Sequence, residues 1–562
     1  MSRAGKQVEW SGAEMISSEM MGRLAEALLS SSPSAIIFTV AALAAGVVAA
    51  YLYAPAWGLR RLPGPAAYPL IGHLPLLSKH GPEVFSILAE RYGPIYRFQM
   101  GRQPLVVVAS PELCREVGIK KFKSIGNRSI PSPVRCSTIH RKGLFFTKGS
   151  RWQSMRSVLT SIYQPSHLAS LIPDIQPYIK RAGGLLRHGE EITFSDLSLK
   201  LFTDTIGQVA FGVDFGLTKD KDAAAAAAAT VPPSSASSSS PPQAHPPAAA
   251  ADFIQEHFYA TTQLKMDLSG SLSIILGMLV PLLQEPARRL LLCVPGSADR
   301  RMEDTNMALR RMLDGIVAER TTQAESDRGK KNFLSVLLNA KESTEDLRKL
   351  LAPDYVSALT YEHLLAGSAT TSFTMSSLVY LVAAHPEVEQ RLLREIDDFG
   401  HKDRVPSAEE LHNSFPYLEQ VLKETMRFFT VSPLIAREAG EDVEVGGYVL
   451  PKGTWLWMAP GVLAKDPKQF PDPHVFRPER FDPESEECKK RHPYAFIPFG
   501  LGPRVCIGQK FSVQQLKLVA IHLYRHYIFR HSSKMETPLE FQFSIVVNFT
   551  HGVKLQVIER NI

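Results

Sequence analysis

Phe499-Gly-Leu-Gly-Pro-Arg-Val-Cys-Ile-Gly508 places one cysteine inside a short, glycine-punctuated loop. A helical pattern follows at once, with Val513, Leu516, Ala520 and Leu523 spaced for one face. Cys506 therefore stands just ahead of a helix N-terminus, where unpaired N–H groups and the helix dipole favour an anion and make a thiolate easier to hold. Gly502 and Gly508 let the backbone turn and approach a flat partner closely. Arg504 sets a cation two residues before the sulfur, and Phe499 offers a ring beside it. A lone cysteine is most often a buried free thiol. Here, however, Phe-x-x-Gly-x-Arg-x-Cys-x-Gly fixes five positions in ten, and average composition yields that on the order of once in a million windows.

Such a loop suits a planar anionic cofactor that takes a thiolate, and haem is one. Phe499, Gly502, Arg504, Cys506 and Gly508 complete a pattern that resembles the haem-binding loop of the cytochrome P-450 monooxygenases. The resemblance implies haem b with Cys506 as axial ligand and metal-binding residue, and Phe499, Gly502 and Arg504 beside it.

The chain has 562 residues, 44% apolar and 21% charged, an ordinary globular composition. A net charge of +7 is modest and spread out, with no basic run suited to nucleic acid. Cys114, Cys136, Cys293, Cys488 and Cys506 are scattered and form no C-x-x-C. That argues against a disulfide framework or structural zinc and fits a reducing compartment.

Residues 1–34 are polar, with mixed charge. Ala35 to Tyr53 is uncharged and rich in Ala, Val and Ile; as a helix it spans roughly 28 Å, enough to cross a bilayer. Tyr51, Tyr53 and Trp57 cluster at its end as interfacial aromatics do, and Arg60 and Arg61 follow. The charge balance favours a cytosolic C-terminal side. The expected organisation is a non-cytosolic segment (1–34), a single-pass anchor (35–53), a Pro-rich hinge (54–66) and a catalytic domain (67–562). A Pro-, Ser- and Ala-rich stretch at 222–251 reads as a disordered insertion.

Further along, 85–92 reads as a short helix, and 95–100 and 105–108 as two strands. Trp152 and Arg156 share a helix face; in the family such a pair contacts a haem propionate, a role the resemblance also gives to Arg437. Residues 269–283 are apolar but broken by Gly and Pro, either core or a patch dipping into a membrane. Leu364 to Ala383 is a long apolar helical pattern containing Ala366-Gly-Ser-Ala-Thr-Thr371. It resembles the helix that passes over the haem, which implies catalytic roles for Thr370 and Thr371. The family's usual acid is replaced by Ala369, and Glu362 is eight residues before Thr370, about 12 Å along a helix, too far to substitute simply. Glu424, Arg427 and Arg480, from Glu-x-x-Arg and Pro-Glu-Arg-Phe, match a structural lock. Residues 445–453 read as a hairpin, and 541–549 as a strand pair.

The expected fold is therefore mainly α with small β-sheets, the cytochrome P-450 fold with an N-terminal transmembrane helix. Stretches such as MGRQPL, KMDLSGSLS and TYEHLLAGSATT are similar to the plant more-axillary-growth enzymes. That clade, which also carries Ala at the acid position, oxidises carlactone to carlactonoic acid and, in some members, onward to deoxyorobanchol or orobanchol. The resemblance implies an endoplasmic reticulum membrane protein, monomeric, receiving electrons from NADPH-cytochrome P-450 reductase and acting on an apolar small molecule. Two other classes stay open: a reductase-independent haem isomerase or dehydratase, and a non-catalytic haem protein.

Overall fold

The computed structural model describes residues 32–561 apart from 136, 220–255, 257–264, 266–268, 323–331 and 545. The expected insertion at 222–251, and all of the expected leading segment except its last residues, lie outside the described residues. Two compact units are present, Met1–Gly58 and Leu59–Ile562.

In the first unit, α1 spans Pro33–Trp57. Ser32 caps it by accepting the Ala35 N–H, and proline occupies the first turn, where its missing donor costs nothing. The helix is longer at both ends than the uncharged run. Its length and apolar composition suffice to cross a membrane, and its central span has no buried residue.

The second unit is mainly helical. Its key elements are α2 (Gly149–Thr160), α3 (Phe194–Ile206), α4 (Pro353–Ala384), α5 (Pro416–Phe428) and α6 (Gln509–His526). The central α4 starts eleven residues before the apolar pattern does. Pro353 at its first turn and Asp354 beside it start the helix. Its leading turns carry polar residues that face the interior, which hides their period. α3 crosses α4 closely: Ser198 Oγ donates to the Ser372 carbonyl at 3.3 Å, and Ser372 Oγ to that of Ser195 at 3.4 Å. Gly367 permits this crossing, because a Cβ there would collide with Ile206. Its small size thus serves helix packing, and α4 is helical without a break through 366–371.

The largest sheet has four strands. Ile95–Met100 pairs antiparallel with Gln103–Val108, which runs parallel to Trp455–Met458, itself antiparallel to Ile435–Glu438. The register Val108↔Met458↔Ile435 buries an apolar row and carries Arg437 inward, with no exposed surface. Residues 443–445 and 448–450 form the hairpin expected at 445–453, starting two residues earlier and ending three sooner, and 541–543 with 547–549 form the expected C-terminal pair. The 269–283 stretch divides its surface. Ile274 and Met278 are buried, whereas Leu272, Leu282 and Leu283 are exposed.

Candidate functional site

The cysteine loop is closed by the Cys506 N–H, which donates to the Phe499 carbonyl at 2.9 Å, and by the Val505 N–H to Gly502 at 2.9 Å. It delivers Cys506 to the N-terminus of α6, with Gly508 as the cap. The sulfur is open to an internal cavity yet ringed by protein. Enclosure raises the thiol's pKa; the Gly508 and Gln509 N–H groups and the nearby Arg156 and Arg128 act against that rise. Gly502 has φ +70°, and its missing Cβ faces not the cavity but the Gly118 carbonyl. The close approach expected toward a flat partner is made toward backbone instead. Gly118 reciprocates, since a Cβ on it would sit 2.7 Å from the Leu501 side chain.

The cavity has a volume of about 370 Å³. Ala366, Ala369, Thr370 and Thr371 of α4 line it, as do Phe499, Gly500, Cys506 and Gly508. Ile206, Ala210, Leu365 and Val546 add apolar surface. Thr370 Oγ1 donates to the Ala366 carbonyl at 2.7 Å, which leaves its lone pairs available as acceptors. Val431, Ser432 and Ile435 also line it, next to the strand bearing Arg437.

Guanidinium groups crowd one side. Trp152 and Arg156, on one face of α2, both line the cavity. Arg504 stacks over the Trp152 ring, 3.9 Å from its centroid. It directs its donors to the carbonyls of Gly126, Leu144, Phe145 and Thr147 at 2.8–3.4 Å, so its hydrogen bonds run to backbone. Arg437 donates to its neighbour Ala436, while its Nε and Nη2 are buried without a partner. Arg128 is also buried, and its Nε has no partner. Burial holds Arg128 down at about 10 and Arg504 at about 9, and it pulls Arg437 well below its ordinary value, with Arg128 and Arg504 adding like-charge repulsion. Buried cations without partners are costly unless an anion completes them. Glu362, which burial raises to about 7, offsets this for Arg128 and Arg504 but not for Arg437. Arg437 does not itself line the cavity, but an open thiol, apolar walls and buried guanidinium nitrogens without partners fit a flat, largely apolar cofactor with carboxylate edges, as haem is. Arg128 was missed in the sequence, because an isolated arginine in a loop carries no pattern.

Glu424, Arg427 and Arg480 meet in a separate cluster, all with fully buried side chains. Glu424 accepts from Arg427 Nε and Nη2, each at 2.7 Å, from Arg480 Nε at 3.0 Å and from the Arg477 N–H at 2.9 Å. None of the three lines the cavity. They tie α5 to the loop ahead of the cysteine.

Residues 62–557 match the family model described as Cytochrome P450. The chain is 27% identical over 540 residues to thromboxane-A synthase of Sus scrofa, covering 88% of this chain and 91% of that protein. It is 26% identical to cytochrome P450 3A12 of Canis lupus familiaris, over 92% and 96% of the two chains. To cytochrome P450 4V2 of Homo sapiens it is 28% identical, over 91% and 92%.

Proposed function

This chain belongs to the cytochrome P450 family, oxidoreductases of the monooxygenase class that bind haem b through a cysteine thiolate, and from that premise we propose that it is a membrane-anchored oxidase of carlactone. The observation that carries the site is the Cys506 sulfur, open to an apolar cavity that Thr370, Arg156 and Arg128, whose buried Nε has no partner, also line. Haem b held there would supply oxygen activation. Arg128, Arg156 and Trp152 of the lining, with Arg437 buried in the adjoining strand, would hold its carboxylate edge through charge-assisted bonds, and Arg504 braces the loops behind Trp152. The Gly508 and Gln509 N–H groups and the α6 dipole favour the thiolate that bound haem would take as ligand. Thr370 and Thr371 orient oxygen and water at the α4 wall. Ala369 offers no proton, so protons arrive through water.

The substrate reading rests on the resemblance to the plant clade, and the apolar cavity wall supports it. A methyl group of carlactone passes through alcohol and aldehyde to the acid, with deoxyorobanchol- or orobanchol-type products as continuations. Electrons come from NADPH-cytochrome P-450 reductase. The anchor α1 holds the monomer in the endoplasmic reticulum membrane, residues 58–66, the part of the expected 54–66 hinge that lies beyond the helix, act as a hinge, and the domain from 67 onward is cytosolic.

Microsomes carrying this chain and a plant reductase, fed carlactone and NADPH, should yield carlactonoic acid, and Cys506→Ala should yield none. Absence of product from chain with a normal reduced-CO band would refute the substrate and leave the family intact. Ala369 favours one second reading, an isomerase or dehydratase; product formed without NADPH would establish it.

A further inference from the structure

Glu362 lies two turns ahead of Thr370 on the same face of α4, since 362, 366 and 370 are four apart. Its carboxylate engages the segment ahead of α2. Oε1 accepts the Phe145 N–H at 2.6 Å, and Oε2 accepts the Leu144 N–H. Gly143 must be small for this: a Cβ there would stand 2.5 Å from Oε2. Arg504 grips the same turn through the carbonyls of Leu144 and Phe145, each at 3.4 Å. One side chain thus holds the N–H groups of the turn and another its carbonyls. The Phe145 ring packs edge-on against Phe146 with centroids 4.8 Å apart, and the Arg128 guanidinium lies 3.7 Å over the Phe145 face. Phe145 nonetheless keeps 39% of its surface exposed, and it lines the cavity.

We propose that Glu362 is a positioning residue that clamps the Leu144–Phe145 turn and so holds the Phe145 ring as a fixed wall for ligands in the cavity. The carboxylate acts on ligand shape, not on proton delivery at Thr370. A leucine at 362 would leave two backbone N–H groups without their acceptor, and the turn would swing to find others. Glutamine keeps one acceptor but turns an amide donor toward the second N–H, so it half-releases the turn.

The inference rests on haem occupying this cavity, so the test uses haem-binding azoles on the full-length holoprotein. Imidazole carries nothing beyond the ring that binds haem, whereas 4-phenylimidazole adds a phenyl ring that must be accommodated by the cavity wall; the haem absorption shift reads both affinities. Glu362→Leu should change the 4-phenylimidazole to imidazole affinity ratio by about tenfold, a coupling of the size that contacting residues show. Phe145→Ala should do the same, and Glu362→Leu added to Phe145→Ala should change nothing further. Glu362→Gln should fall between, and it carries the test if the leucine variant retains no haem. Additive effects of the two substitutions would overturn the clamp, as would equal shifts for both azoles. A wild type with no azole response would overturn the haem reading, and the clamp with it.

Discussion

Glu424→Gln tests how much the buried charge cluster on α5 holds together. The carboxylate accepts four hydrogen bonds at 2.7–3.0 Å, and it is the single acid shared by Arg427 and Arg480, whose side chains have no exposed surface. Glutamine preserves the shape but removes the charge. Arg480 keeps an ion pair with Glu487 at 2.8 Å. Arg427 keeps only the carbonyls of Ala464, Pro473 and Val475. Removing one partner of a buried pair costs about 3–5 kcal/mol. The Leu59–Ile562 unit carries an unfolding entropy of about 1 kcal/mol/K, so that loss lowers the midpoint by about 3–5 °C. Thermal scans of the detergent-solubilised holoprotein by circular dichroism read the shift. Arg477→Ala is the control: its guanidinium is 42% exposed and pairs with Glu487, so its loss costs below about 1 kcal/mol. A Glu424→Gln midpoint no lower than that of the control would refute the reasoning.

Arg437→Met should raise the unfolding midpoint of haem-free protein and lower haem retention in the holoprotein, because the buried guanidinium lacks partners for two of its nitrogens; the same sign in both states would contradict the assignment. Ala369→Asp should alter the fraction of NADPH oxidised that appears as product, measured with reductase present; an unchanged fraction would mean the missing acid is neutral. Glu362 binds its proton more tightly folded than unfolded, about 7 against the ordinary 4.5. The unfolded chain therefore holds fewer protons between those values, and stability falls as pH rises across that window by roughly 3 kcal/mol. The stability of wild type relative to Glu362→Gln should decline from pH 4.5 to 7 and then level off; a flat difference would refute it.

The cysteine loop, the Glu-x-x-Arg pair and the α2 face were legible because each sits in one short element whose spacing fixes its geometry. The strand pair at 95–108 was legible from alternation and glycine punctuation, and the hairpin was legible by its glycines though placed at 445–453 rather than 443–450. What remained hidden depends on contacts far apart in sequence. Arg437 was named through the resemblance, but its nearness to Arg128, each with a buried nitrogen left without a partner, arises only once a loop and a strand are packed together. Glu362 was legible as a residue too far from Thr370, but its actual partners, two backbone N–H groups in another segment, leave no mark on side-chain identity except Gly143. The first eleven residues of α4 escaped because polar residues that face an interior site break the apolar period.

Gly118 and Gly502 bring the thiolate loop hard against the 116–120 segment, since a Cβ on Gly502 would strike the Gly118 carbonyl and one on Gly118 the Leu501 side chain. Arg504 also bonds Gly126, and Arg128 bonds the Arg504 carbonyl at 3.4 Å. The cysteine and the arginine loop are thus parts of one casting, though nearly four hundred positions separate them. A chimera that transplants residues 498–508 from a relative without also transplanting 116–128 would join two halves cut from different moulds. Such grafts should be made as a pair.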